Sequence, residues 1–367
     1  MDLRQQVGQL FMIGFTGTSV TPDLADFLRE YQPGGVILFA RNLESPAQIV
    51  QLTNDLQNLS PQHPLFIAID QEGGRVSRLP AGFTIFPSCA TVGRCKTTEV
   101  AYQVAAATAA ELRAVGINMN MAPVLDVDTN PKNPIIGDRA FGPDPARVCE
   151  LGQATMAGLQ EHRVIACGKH FPGHGDTTAD SHVELPVVEA TRERLEQIEL
   201  PPFRHAIKHG LLSIMTAHVL YPALDPSVPA TLSSGILNGL LRERLGFNGM
   251  IITDDLEMHA IIDHYGIEDA STMAFQAGAD ILLICKDRGR VIAAMDRMYA
   301  AVESGTISDV RLEASLCRIA AVKATMLSPY TPADPHAADR IVGNAKHQAL
   351  LATVQTTGGG RVNAPVA

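Results

Sequence analysis

The chain has 367 residues, 46% of them hydrophobic and 19% charged, with a formal net charge of −10. This balance supports a large buried core and excludes disorder as the main state. The acidic excess argues against a nucleic-acid binder, which would carry a basic face, and leaves the substrate class open.

The amino terminus, Met1-Asp2-Leu3-Arg4-Gln5-Gln6-Val7, has no basic segment leading into an apolar run. No stretch is apolar for long enough to span a bilayer. A cytoplasmic protein with no membrane partner is expected. Six cysteines, Cys89, Cys95, Cys149, Cys167, Cys285 and Cys317, are scattered without a Cys-x-x-Cys pair, so free buried thiols are expected rather than disulfides.

Eight apolar runs then appear in order, at 8–15, 35–39, 65–69, 118–127, 164–170, 211–218, 250–254 and 281–285. Their near-continuous apolar character is that of strands buried on both faces. Segments with helical spacing separate most of them. Residues 45–59 open on Ser45-Pro46, a cap followed by proline in the first turn. Residues 98–115 are alanine-rich and end at Gly116, Asp144-Pro145 opens another helix, and 233–245 end at Gly246. Later helices are predicted over 267–277, 290–303 and 308–326. Residues 356–367, with Gly358-Gly359-Gly360, are expected to form a loose tail, which leaves 1–355 as one domain.

Strand and helix alternating eight times predict an α/β fold, a single-domain (β/α)8 TIM-type barrel. An open doubly wound sheet is the competing arrangement. Asp70, Asp126, Lys169 with His170, His218, Asp254 and Lys286 all fall at the carboxyl ends of their runs. A barrel gathers all such ends at one mouth, whereas an open sheet gathers only those near its switch point, so the barrel is preferred.

The densest chemistry lies in Lys169-His170-Phe171-Pro172-Gly173-His174-Gly175, followed by Asp180-Ser181-His182. A carboxylate beside an imidazole fixes its tautomer and stabilises the protonated ring, which can then give and take a proton. Gly173 and Gly175 suggest a hinge on which the loop closes over a ligand. His170, His174, His182, His218 and Asp254 can also be read as a zinc set. The first run lacks the His-x-His pair of metal-dependent amidohydrolases, however, and no metal or cofactor is expected. A structural role is equally open to His174 and His218.

Thr253-Asp254-Asp255 ends the seventh run with two carboxylates that point to opposite sides if the strand continues. Periodicity does not say which faces the mouth. In Asp70-Gln71-Glu72-Gly73-Gly74-Arg75-Val76-Ser77-Arg78 the two glycines permit a tight turn, and no phosphate-loop Gly-Lys-Ser/Thr element follows. Asp70 and Arg78 form either a fork for hydroxyl groups or a local ion pair. Arg139, in Gly137-Asp138-Arg139-Ala140-Phe141-Gly142, either binds a polar ligand or ties down its loop.

Together these motifs resemble glycoside hydrolase family 3, in its bacterial β-N-acetylglucosaminidase branch, over residues 7–321. The Lys-His-Phe-Pro-Gly-His-Gly segment with its Asp-Ser-His continuation is specific to that branch, and Thr-Asp-Asp and Asp-Arg-Ala-Phe-Gly add independent support. The resemblance implies Asp254 as nucleophile and His182, partnered by Asp180, as the acid–base residue. It places Asp70, Arg78, Arg139, Lys169 and His170 around a non-reducing N-acetylglucosamine. It implies a retaining exo-acting β-N-acetylhexosaminidase that works through a covalent glycosyl-aspartate, on the N-acetylglucosaminyl muropeptides of peptidoglycan recycling. A small carbohydrate is then the only partner, and a monomer is expected. Phosphorolysis of the same intermediate, a metal-dependent amidohydrolase and a non-catalytic sugar-binding protein are the alternatives.

Overall fold

The computed structural model describes residues 1–95, 97–178 and 185–359. Eight short parallel strands form one sheet: β1 (Phe11–Ile13), β2 (Gly35–Leu38), β3 (Phe66–Ile69), β4 (Met119–Asn120), β5 (Ile165–Phe171), β6 (Ser213–Thr216), β7 (Met250–Ile252) and β8 (Leu282–Ile284). Each pairs with its neighbours in sequence, and β1 also pairs with β8. A parallel bridge between Ile252 and Ile281 brings β7 to β8 and closes the ring. The predicted barrel forms, and the open sheet does not.

Nearly every strand residue lies inside an apolar run, because a strand covered on both faces needs apolar side chains in both directions. The fourth run extends to Val127, yet β4 holds only Met119 and Asn120. Beyond it the Met121 N–H still donates to the Ile69 carbonyl and the Ala122 and Pro123 carbonyls accept from the Cys167 and Lys169 N–H groups, but Pro123 has no N–H to donate, and among the described residues only a single bridge, Val124 to Lys169, follows.

Helices α1 (Pro22–Tyr31), α2 (Pro46–Asn58), α3 (Thr98–Ala114), α4 (Pro145–Glu161), α5 (Leu200–Lys208), α6 (Gly235–Arg244), α7 (Ile267–Ala277) and α8 (Arg288–Glu303) each follow the strand of the same number. The Ser45 hydroxyl accepts from the Gln48 N–H and the Asp144 carboxylate from the Ala146 N–H, so the caps read from sequence are real. Helices α9 (Asp309–Leu327), α10 (Pro335–Ile341) and α11 (Ala345–Gly358) follow α8, and short helices lie ahead of β1 (Leu3–Gly8) and in the connections (Cys89–Arg94, Arg192–Gln197 and His259–Tyr265). Thr356 and Thr357 belong to the last turn of α11 and bond to carbonyls four residues back, so helix continues past the point where the tail was expected to begin.

One apolar core fills the barrel and the space beneath the helices. A smaller cluster, including Cys89, Val92, Phe141, Val148 and Val354, supports the loops after β3 and β4. All six cysteines are free thiols and four are buried. Among the described residues no helix is long and apolar enough to cross a membrane.

At the end of the barrel away from these loops, the Lys323 ammonium of α9 donates to Gln9 Oε1 at 2.9 Å and lies 5.0 Å from the Phe66 ring centroid. Burial pulls its pKa down to about 7. The unfolded chain therefore binds this proton more tightly than the folded one between about pH 7 and the free lysine value of about 10.4. The cost of burying the charge is complete below that window and is relieved as pH rises through it. Folding stability should accordingly increase from pH 7 to pH 10, and Lys323→Met should flatten that increase in urea titrations at pH 6, 8 and 10.

Candidate active site

The loop after β3 starts with Asp70 and turns at Gly73 and Gly74, whose φ values are +98° and +58°. An added Cβ on Gly73 would lie 2.6 Å from the Pro87 carbonyl oxygen, so only glycine fits. The turn aims Glu72 into the barrel mouth, where its side chain is 1% exposed. Glu72 Oε1 and Oε2 accept from Arg139 Nη2 and Nε, both at 2.8 Å, as a two-pronged pair. The Lys169 ammonium reaches across from β5 to Glu72 Oε1 at 2.6 Å and Asp70 Oδ1 at 2.7 Å. Burial alone would raise the Glu72 pKa, but Arg139 and Lys169 hold it far below the usual carboxylate range. Burial works against the charge on Lys169, and Asp70 and Glu72 more than offset it, so the ammonium stays protonated.

Asp126, buried beyond β4, accepts from the His170 N–H at 3.2 Å, the His174 N–H at 2.6 Å and His170 Nδ1 at 2.7 Å. His170 Nε2 lies 3.4 Å from Arg139 Nη2, which can only donate, so the ring proton belongs on Nδ1. Gly173 and Gly175 do not form the hinge suggested by their sequence. Tyr221 donates its hydroxyl to the Gly173 carbonyl, Asn133 donates to the carbonyls of His174 and Gly175, and a Cβ on Gly175 would lie 1.7 Å from the Val127 oxygen. The segment is clamped on three sides.

The two aspartates after β7 separate into distinct environments. Asp254 faces the mouth. Burial would raise its pKa, but nearby His218 and His170, the Asp255 amide and Lys169 bring it below the ordinary value, which makes it an anion at neutral pH. Asp255 turns outward and accepts from the N–H groups of Glu257 at 3.1 Å and Cys285 at 3.3 Å. Burial pushes its pKa up to about 6. Glu257 in turn accepts from the amides of Lys286 and Asp287, so this pair braces the end of β7 against β8.

A cavity of about 320 Å3 opens between these groups, lined by Asp70, Glu72, Arg75, Val76, Arg78, Ile135, Arg139, Lys169, His170, His174, Met215 and Asp254. Six sequence-predicted site residues, Asp70, Arg78, Arg139, Lys169, His170 and Asp254, are thus brought together. Asp70 pairs with Lys169 rather than Arg78, so the local ion pair is not formed, while both side chains line the cavity. Arg78 instead has its buried Nε without a protein partner among the described residues. Lys286, at the end of β8, is exposed and outside the cavity. Asp180 and His182 lie outside the described residues. Sequence reasoning passed over Glu72 and the clamping role of Asp126. For Glu72 the available signal was its place beside the double glycine, two residues after Asp70.

Among the described residues no three histidine, cysteine or acidic side chains are arranged to hold a metal ion. His218 is committed to Thr231 Oγ1 and the Asp255 carbonyl. The cavity offers one ionised carboxylate, Asp254, opposite a wall of paired acids and bases. Such a wall suits a small polyhydroxylated ligand, because it presents donors and acceptors in fixed directions.

The chain matches the Glycosyl hydrolase family 3 N terminal domain over residues 2–322. It is 39% identical over 361 residues to Beta-hexosaminidase A of Pseudoalteromonas piscicida, covering 91% of this chain but only 60% of that protein. It is 42% identical over 310 residues to the Beta-hexosaminidase of Nitrosomonas eutropha, covering 82% of this chain and 88% of that one. Similar solved structures include a glycoside hydrolase family 3 beta-N-acetylglucosaminidase from Paenibacillus sp., with a TM-score of 0.91, 42% identity, and coverage of 98% of this chain and 69% of that one. Another is NagZ from Neisseria gonorrhoeae in complex with N-trifluoroacetyl-D-glucosamine, with a TM-score of 0.78, 32% identity, and coverage of 95% and 98%.

Asp126→Asn should destabilise the fold by about 1–3 kcal/mol, since an amide group leaves at least one of three buried N–H donors unmatched. Urea midpoints of the two proteins would measure it, and equal midpoints would remove Asp126 from its clamping role.

Proposed function

Because the chain belongs to glycosyl hydrolase family 3, we propose that it is a retaining exo-β-N-acetylglucosaminidase. The observation that carries this reading is the single cavity of about 320 Å3 in which Asp254 faces Asp70, Arg78, Arg139, Lys169 and His170. That volume suits one sugar residue, as an exo-acting enzyme requires. The sugar-bound NagZ relative supports an N-acylated glucosamine as the occupant.

In the proposed mechanism Asp254 attacks the anomeric carbon as the glycosidic bond breaks, and His182 delivers its proton to the departing oxygen. Asp180 holds the imidazole in the tautomer this requires. His182 then removes a proton from water, which attacks the glycosyl-aspartate, frees the sugar with retained configuration and regenerates the Asp254 carboxylate. The chemistry calls on no metal or cofactor. The lowered pKa of Asp254 supports its part, since the nucleophile must be ionised.

The proposed substrates are muropeptides with N-acetylglucosamine on anhydro-N-acetylmuramic acid, handled in the cytoplasm by a monomer during cell-wall recycling. Neither nucleic acid nor membrane is a partner in this reading.

Wild type should release phenol from an aryl N-acetyl-β-glucosaminide with chelator present, and Asp254→Asn should lower kcat by about 10⁴-fold or more. A wild type without activity would overturn the reading, and loss of activity on chelation would redirect it to metal-dependent hydrolysis. Sugar 1-phosphate formed in phosphate buffer would assign phosphorolysis. His182→Ala should slow poor leaving groups by about 10²–10⁴-fold and activated aryl glycosides far less. Equal losses would count against His182 as the acid.

A further inference from the structure

Glu72 stands apart from the residues that the family resemblance assigns. Its side chain is 1% exposed, while that of Asp70, the other carboxylate on Lys169, is 19% exposed. Of the two, Asp70 is the more open to the cavity that both line. Lys169 occupies Asp70 through Oδ1 alone. Arg139 from the β4 loop and Lys169 from β5 meet on the same Glu72 oxygen, at 2.8 and 2.6 Å. The backbone holds that oxygen in place: the Glu72 N–H donates to the Val76 carbonyl at 3.0 Å across the Gly73–Gly74 turn.

Without the Glu72 charge, Arg139 and Lys169 would repel each other out of reach of bulk water, and Asp70 alone would have to balance both. Lys169 would lose its proton or Arg139 would turn outward, and either change swings a donor away from its direction in the cavity. We propose that Glu72 is a positioning residue that sets sugar specificity, by fixing Lys169 and Arg139 so that the Asp70–Lys169–Arg139 wall discriminates between epimers of the bound sugar ring. The proposal rests on the glycosidase reading above. Glu72 touches no reacting atom in it, and acts through the two cations and the aspartate they frame.

The test compares wild type, Glu72→Gln and Glu72→Asp on aryl glycosides of N-acetylglucosamine and its C4 epimer, N-acetylgalactosamine. Glutamine keeps the shape but removes the charge. The kcat/KM of Glu72→Gln for the glucosaminide should fall about 10²-fold, the scale of one or two lost charge-assisted hydrogen bonds. The galactosaminide should lose much less, so the ratio between epimers narrows about tenfold. Glu72→Asp, which keeps the charge on a shorter arm, should recover part of the ratio, and it carries the measurement if Glu72→Gln does not fold. Losses should not depend on the leaving group, because Glu72 acts on the glycone side. An equal fall for both epimers, or an unchanged ratio in both variants, would overturn the proposal and leave Glu72 a structural residue. A wild type that hydrolyses neither epimer would instead overturn the glycosidase reading on which it rests.

Discussion

The ammonium of Lys169 is 2% exposed at the centre of the barrel mouth. A charge so far from water is retained only if carboxylates lie in contact with it; otherwise the amine sheds its proton. Both carboxylates come from the loop after β3, although Lys169 stands on β5 and β4 lies between them. Inward side chains of alternate strands share the barrel interior, so β4 does not keep them apart. Asn120 of β4 bonds to the Gln71 N–H and carbonyl at 3.0 and 2.9 Å, which fixes the backbone between Asp70 and Glu72.

From that contact the surrounding loops take their places. Arg139 brings the β4 loop to Glu72, and Asp126 brings the start of the β5 loop to the same loop through His170 and His174. These are buried, charge-assisted bonds, worth more than exposed ones. Arg75–Asp138, at 3.1 Å but with both side chains about half exposed, adds little to the same junction. On the far side Asp255 and Glu257 hold β7 to β8 with acceptors aimed at backbone amides. The polar groups facing the cavity are therefore set before any ligand arrives, which is the condition for fixed dipoles to favour one bound geometry.

Much of this architecture is legible in the chain itself. Continuous apolar runs mark all eight strands, since burial on both faces leaves no alternation to confuse them. Their polar ends named Asp70, Lys169, His170 and Asp254 of the cavity. Helix α1 escaped that reading even though Thr21 caps it and Leu24, Phe27, Leu28 and Tyr31 form its buried stripe; the signal is present but short. Three features were beyond pattern. Glu72 reads as one more loop acid until the Gly73–Gly74 turn is seen to aim it inward. Asp254 and Asp255 differ only in the side they face after the strand has ended. Gly173 and Gly175 look like a hinge in one dimension, and only the approach of Val127, Asn133 and Tyr221 reveals them as close-packing residues.

The order of strands around the barrel also bears on what the site can recognise. The charged wall comes from β3, the β4 loop and β5, and Asp254 from β7, so β6 alone separates them. Met215 of β6 lines the cavity there, between the wall and Asp254. A pyranose has hydroxyls around its edge and C–H groups on its faces. In the proposed reading its edge meets the wall, its anomeric carbon meets Asp254, and an apolar face covers the thioether. The wall is balanced, with Asp70 and Glu72 set against Lys169 and Arg139. It exerts little net pull on an uncharged sugar and leaves recognition to the direction of its hydrogen bonds. Asp254 itself stays ionised because His218, His170, the Asp255 amide and Lys169 together outweigh the cost of its burial.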